Sequence, residues 1–166
     1  MSPPPPIGPF LADLLRRGQA EQPWYGPSTQ ELLSGLGASE AARRPVANAH
    51  TIWEIVLHMT AWLGEVARRL EGHSPQLPLE GDWPAMPTAS EAAWLAAKAS
   101  LAEAVERVAT LVSGLSPEAL ERPIGTSQEP ALGTGLTAAQ TVAGVLEHNA
   151  YHAGQIALLA KAVRLG

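Results

Sequence analysis

Apolar residues recur along most of this chain at helical rather than strand spacing. The interval from Ile7 to about Gln19 predicts a first helix with Phe10, Leu11, Leu14 and Leu15 on one side. Gln22-Pro23-Trp24-Tyr25-Gly26-Pro27 breaks that pattern. Ser28 reads as the N-cap of a short helix through Glu31, Leu32 and Leu33, with Glu31 at the capping-box position. Ser39-Glu40-Ala41-Ala42 gives one more turn before Arg44-Pro45. A second long helix starts near His50 or Thr51 and runs to about Glu71. Its Ile52, Ile55, Val56, Met59, Trp62, Leu63, Val66 and Leu70 keep a 3.6-residue period, and Gly72 ends it.

The interval from His73 to Pro87 holds four prolines and Gly81, too broken for a long helix. Ser90 and Glu91 open a third helix that lasts to about Ser113. Its seam is Trp94, Leu101, Val105, Val108 and Val112, at spacings of seven, four, three and four. Gly114 stops it, and Ser116-Pro117-Glu118 begins a single extra turn. Gly125 to Gly135 is a Gly/Thr/Pro loop, after which Thr137 caps a fourth helix through Val142, Val145, Leu146, Ile156, Leu159 and Val163. Four long helices with no strand and no repeat predict an all-α bundle. Two of the connections are long, so an up-down-up-down order with tight turns does not follow.

Composition narrows the class. The 166 residues suit one domain at residues 7–166, behind an extended proline-rich lead-in at residues 1–6. Charged residues make up 16% and hydrophobic residues 46%, much of it alanine, which favours a closely packed helical interior. A net charge of −5 and no clustered Lys/Arg stripe argue against nucleic acid as a partner. No apolar run approaches the roughly 18 residues that span a membrane. The start of the chain lacks the basic region and apolar core of a signal peptide, so a cytoplasmic location is expected. The absence of cysteine removes disulfides, Cys-ligated zinc, iron–sulfur clusters and a cysteine nucleophile. Histidine and carboxylates remain as the strong metal ligands.

Five histidines are present, and helical geometry sorts them. His148 and His152, four residues apart in an alanine-rich apolar run, lie about 40° from each other at about 100° per residue. Val145, Gln155 and Ile156 flank them, so this face points into the bundle. His58 lies at the shoulder of the apolar arc of the second long helix. A single interior histidine is more often a hydrogen-bonded core residue than a ligand. The i, i+4 pair together with His58 makes a three-histidine site the favoured reading of the spacing. His50 stands at a helix start, where capping or exposure is expected, and His73 sits in an exposed turn.

Two rival motifs fail. A zinc protease carries a Glu beside the first His of H-E-x-x-H, and here that position is Asn149. Di-iron bundles need several inward Glu residues with Glu-x-x-His pairs, and His58 with Glu54 or Glu65 has the wrong spacing. One ion rather than two is expected.

These segments resemble a known family. Thr51-Ile52-Trp53-Glu54-Ile55-Val56-Leu57-His58-Met59-Thr60-Ala61-Trp62 and His148-Asn149-Ala150-Tyr151-His152-Ala153-Gly154-Gln155-Ile156 resemble the second-helix and last-helix signatures of the DinB/YfiT-like metalloenzymes. Tyr25 through Pro45 fits the family's lead-in, so the resemblance runs from about Phe10 onward. It implies a four-helix bundle with long crossover loops, often a homodimer. It also implies one divalent ion, nickel or zinc, on the residues matching His58, His148 and His152. Relatives in that family include thiol transferases and a thiol-dependent isomerase.

The leading expectation is therefore a metal-dependent S-transferase-like enzyme that joins a low-molecular-weight thiol to a small electrophile. The thiol must come from outside the chain, because no Cys is present. Gln155 could orient a ligand or support a metal-binding histidine, and Glu54 could do the same or act as general base. Either is equally a surface or packing residue. A metal-dependent hydrolase of a small amide or ester is the alternative, with Glu54 or Glu65 as base. A non-catalytic metal- or ligand-binding stress protein is the reading from a different class. Trp24, Trp53, Trp62 and the loop around Trp83 are candidate pocket walls.

Overall fold

The structure is a computed structural model that describes residues 6–125 and 132–165. Of the lead-in expected at residues 1–6, only Pro6 falls among the described residues, as the residue preceding the first helix. The middle of the Gly125–Gly135 loop, residues 126–131, lies outside them, as does residue 166. The fold is all-α. In chain order the helices are α1 (Ile7–Ala20), α2 (Thr29–Leu33), α3 (Ala38–Ala42), α4 (Ile52–Leu70), α5 (Glu91–Ser113), α6 (Pro117–Leu120) and α7 (Ala138–Leu165). Extended pairing among the described residues is limited to one isolated bridge, Pro123 with Thr137, where the chain enters α7. No helix among the described residues is long and apolar enough to cross a membrane.

The helix ends follow from local chemistry. At the start of α4, Thr51 Oγ1 accepts from the Glu54 N–H at 3.1 Å, and the Glu54 carboxylate accepts from the Thr51 N–H at 2.7 Å. This capping box satisfies two backbone donors that a helix start otherwise leaves unpaired. Ser28, Ser90 and Ser116 cap α2, α5 and α6 in the simpler manner, each hydroxyl accepting from the N–H three residues on. Thr137 and Gln140 exchange the same reciprocal pair of bonds at the start of α7. α4 stops where Gly72 takes φ +94°, with its N–H donating to the Arg69 carbonyl and that of His73 to the Arg68 carbonyl. That double bond pattern needs a left-handed residue, which Gly supplies without strain.

The four longer helices stand at the corners of a square. α5 and α7 each touch both α1 and α4, while α1 and α4 face across a diagonal. The chain therefore crosses from α1 to α4 by a long route that includes α2 and α3. Two hydrogen bonds pin this route: Trp94 Nε1 donates to the Leu36 carbonyl at 2.7 Å, and the Ala38 N–H donates to Glu91 Oε1 at 2.8 Å. Leu15, Ile52, Trp53, Met59, Leu63, Trp94, Leu101 and Ile156 are among the fully buried side chains at the centre. Each contributes roughly 1.5–3 kcal/mol by leaving water.

One sequence expectation is corrected here. Phe10 does not join Leu11 and Leu15 in the core; it is 45% exposed. The buried face of α1 is Gly8, Leu11, Ala12 and Leu15. A Cβ at Gly8 would lie 2.5 Å from the Val112 carbonyl oxygen, so α1 presses backbone to backbone on α5 at this point. That close approach fixes the rotation of α1 and turns Phe10 outward.

α4 buries more than an apolar stripe. His58, Glu65 and Arg69 are all buried along one side of it. Glu65 Oε1 accepts from Arg69 Nε at 3.0 Å and from the Gln76 N–H at 2.8 Å, and its other oxygen accepts from Arg68 Nε at 3.2 Å. Arg69 also donates to the Leu132 carbonyl at 2.7 Å. The buried carboxylate is thus fully occupied in tying the residues after α4 to the helix itself.

Candidate metal centre

The groove between α4 and α7 brings His58, His148 and His152 together. One ring nitrogen from each lies within 4.8 Å of the other two. His58 Nε2 and His148 Nε2 are 2.9 Å apart, and the His148 and His152 ring centroids are separated by 4.4 Å. His58 and His152 are buried and His148 is partly so.

Hydrogen bonds on the far side of each ring set its tautomer. His58 Nδ1 lies 2.5 Å from the Asp82 carbonyl, His152 Nδ1 lies 2.6 Å from Gln155 Oε1, and His148 Nδ1 lies 3.4 Å from Asn149 Oδ1. A carbonyl oxygen only accepts, so in each ring Nδ1 carries the proton and donates. Nε2 of His58 is then left with its lone pair, directed at His148 Nε2. A proton on His148 Nε2 or a cation between the two nitrogens satisfies that contact. A metal-binding histidine has this pattern, with its outer N–H held by an oxygen and its inner nitrogen free.

The electrostatics agree. Burial, reinforced by the neighbouring His58, lowers the pKa of His148 below the usual imidazole value. Burial, followed by the influence of His148, brings His152 down to about 4. Both rings are therefore neutral near pH 7, the form that ligates a metal. Three imidazoles whose ring nitrogens converge in this way fit a divalent ion and leave coordination room for a further ligand.

The loop after α4 supplies the rest of the surroundings. A turn from Pro78 to Gly81, closed by the Gly81 N–H donating to the Pro78 carbonyl at 2.9 Å, delivers Asp82 and Trp83 to the groove. Gly81 has φ +86°, a conformation that favours glycine. The Asp82 carbonyl holds His58, and its carboxylate accepts from Trp62 Nε1 at 2.7 Å. The Trp83 ring lies flat against His58 with centroids 3.9 Å apart, and His50 stacks on Trp83 at 3.4 Å. His50, expected to cap or face water, is exposed but forms the outer layer of a His50–Trp83–His58 stack. Nothing in the helical pattern points to Asp82. The one signal for its segment is Gly81 before an Asp-Trp pair, which marks a turn without revealing what the turn covers.

The other candidates divide. Gln155 joins the centre through His152. The Glu54 carboxylate is taken up by the capping box and by Arg44, whose Nη2 donates to its two oxygens at 2.8 and 2.9 Å. Burial alone would raise the pKa of Glu54, but the Thr51 N–H and the Arg44 guanidinium outweigh it and hold the carboxyl below its usual range. Its nearest imidazole is that of His50, at 3.6 Å. Among the tryptophans, Trp62 and Trp83 border the histidines, and Trp53 lies in the core against Trp94. Trp24 lines a separate apolar cleft of about 390 Å³ with Leu14, Tyr25 and Leu146.

The sequence profile described as the DinB superfamily matches residues 27–156, a span that takes in all three histidines. No curated protein and no solved structure matches the chain.

Proposed function

Since the chain belongs to the DinB superfamily, we propose that it is a metal-dependent enzyme that joins a low-molecular-weight thiol to a small electrophile. The observation that carries this reading is the convergence of His58, His148 and His152, with each outer N–H tied to an oxygen. When bound, a divalent ion such as zinc or nickel would supply Lewis acidity that lowers the pKa of a ligated thiol or water. The chain contributes the rest. Gln155 and the Asp82 carbonyl hold two of the rings in the ligating tautomer, while Trp83 shields one face of His58. The thiol gives up its proton to solvent, its sulfur forms a carbon–sulfur bond with the electrophile, and the displaced group leaves with its bonding pair; the thiol is external because the chain has no cysteine.

The state of the carboxylates favours a thiol over water as nucleophile. A base beside the water assists hydrolysis, because water starts far less acidic than a thiol. Glu65 is locked to Arg69 inside the protein, Glu54 is held by Arg44 and Thr51, and Asp82 accepts from Trp62 Nε1 on the outer, Nδ1 side of His58. A metal-activated thiol needs no such base near neutral pH. The reading brings with it a cytoplasmic homodimer acting on small molecules.

The test uses zinc-loaded protein with glutathione, cysteamine and N-acetylcysteine against monochlorobimane. Conjugation above the uncatalysed rate is expected, and it is lost on chelation and in His152→Ala. Conjugation that ignores both changes would overturn the proposal. Ester cleavage without added thiol would move the assignment to a hydrolase.

A further inference from the structure

A second cavity, of about 230 Å³, adjoins the three histidines and shares His148 with them as a wall. It runs along the same groove, between Trp62, Val66 and Arg69 of α4 and Thr141, Gly144, Val145 and His148 of α7; Leu132, Gly133 and Leu136 close its far side. The lining is almost entirely apolar. Arg69 brings a charge, but that charge is already matched by the buried Glu65 and spent on the Leu132 carbonyl. The cavity therefore offers no uncompensated charge to a ligand.

Thr141 is the exception in that wall. It is only 6% exposed, yet its hydroxyl finds no hydrogen-bond partner among the described residues. A threonine in a helix ordinarily turns its hydroxyl onto a carbonyl of the preceding turn. A buried hydroxyl left unpaired is a standing cost to stability, and such groups call for an explanation. Beside it on the same helix face, three residues on, the wall is cut back: a Cβ built at Gly144 meets nothing within 4 Å. A glycine there weakens α7, since Gly is a poor helix former, and leaves the cavity open to entry.

On the reading of the metal centre above, we infer that this cavity is the substrate subsite. It seats a compact apolar group carrying one neutral hydrogen-bonding function, which the Thr141 hydroxyl, enclosed in the free protein, meets by turning about χ1, with the reacting atom toward His148. Size sets the class. The volume exceeds the ~150 Å³ of an apolar cavity that takes benzene and falls below the ~300 Å³ at which drug-sized sites begin. A substituted benzene ring or a short branched chain fits. The hydroxyl both donates and accepts, so an alcohol, carbonyl or amide on that group can be matched. Helical threonine has two accessible χ1 wells, which lets the hydroxyl turn to meet such a group.

Benzyl alcohol and toluene, alike except for the hydroxyl, serve as probes in calorimetric titrations of zinc-loaded protein. Wild type is compared with Thr141→Val and Gly144→Leu. Thr141→Val, of the same shape, is expected to weaken benzyl alcohol by about threefold to tenfold, the worth of one neutral hydrogen bond, and to leave toluene unchanged. Its melting temperature should hold or rise, which a structural hydroxyl would not allow. Gly144→Leu should abolish binding of both probes while folding normally, because the new side chain enters open space on a helix. Zinc content should match wild type in both variants. Benzyl alcohol binding that ignores Thr141→Val, or toluene binding that survives Gly144→Leu, overturns the subsite. Zinc uptake with no binding of either probe overturns it too. If the protein takes up no zinc yet the probes follow the predicted pattern, the subsite stands and the metal-centre reading falls.

Discussion

Trp83 lies flat on His58, the two rings 3.9 Å apart at their centroids and 8° from parallel. The indole belongs to a loop and the imidazole to a helix, so this contact, with the Asp82 carbonyl, helps to fix the His58 ring and covers one of its faces. Trp83→Ala should weaken zinc binding by roughly tenfold, in the range found when groups that orient a metal ligand are removed. Competition against a chromophoric chelator measures it. Trp83→Phe should recover most of the loss, and an unchanged affinity in the alanine variant would leave the stack without a part in binding.

Gln155 acts at one remove from the centre. Its Oε1 accepts from His152 Nδ1 at 2.6 Å and so keeps Nε2 free. Gln155→Leu should cost about 10–100-fold in metal affinity with little change in stability. Gln155→Glu keeps the acceptor and should restore affinity. Equal losses in the two variants would show that accepting from His152 is not what Gln155 contributes.

The metal-free protein should lose stability on mild acidification. Burial holds His152 down at about 4, below the ordinary imidazole value of 6.5. The unfolded chain therefore takes up a proton first as pH falls. The contribution is fully present above pH 6.5 and declines until the folded-state value near 4 is passed. His148 shifts in the same direction and adds to the decline. Urea unfolding of the apoprotein at pH 7.5, 6 and 5 reads the slope, which should flatten in His152→Gln. An apoprotein equally stable at all three values would contradict the burial of these rings.

The Glu65–Arg69 pair has side chains 0% and 4% exposed and sits one turn beyond Trp62. Removing one partner strands a buried charge, so Arg69→Met should destabilise the protein by about 3–5 kcal/mol. Replacing both residues with leucine should recover much of that loss. Denaturant midpoints decide between the two, and a mild single-variant effect would mean that Arg68 alone satisfies the carboxylate.

The long helices were readable because their signals are local. Thr51 with Glu54, Ser90 before Glu91, and Gly72 each write a helix boundary in a few residues, and the structure uses each as a cap or stop. The three histidines were readable because i, i+4 spacing and the α4 apolar arc determine facing before any packing is known. What the pattern could not carry is the match between distant segments. The loop from His73 to Pro87 has no period, so the docking of Asp82 and Trp83 on His58 depends on a turn and on shape. Phe10 belongs to an apolar cluster wider than the face α1 buries, and only the contact of Gly8 with α5 selects that face. Glu65 was open to a role as base, although its spacing to Arg69 already marks an ion pair on one helix face.

The nitrogens of His58 and His148 meet across 90 positions of sequence. An ion held between them is a removable clasp on a loop that spans more than half the chain. Because only the finished bundle offers all three nitrogens, free metal at a hundred times its dissociation constant would add about 2.7 kcal/mol to stability. Occupancy of the centre is thus also a certificate of assembly: a chain that has failed to bring its last helix home cannot hold the ion.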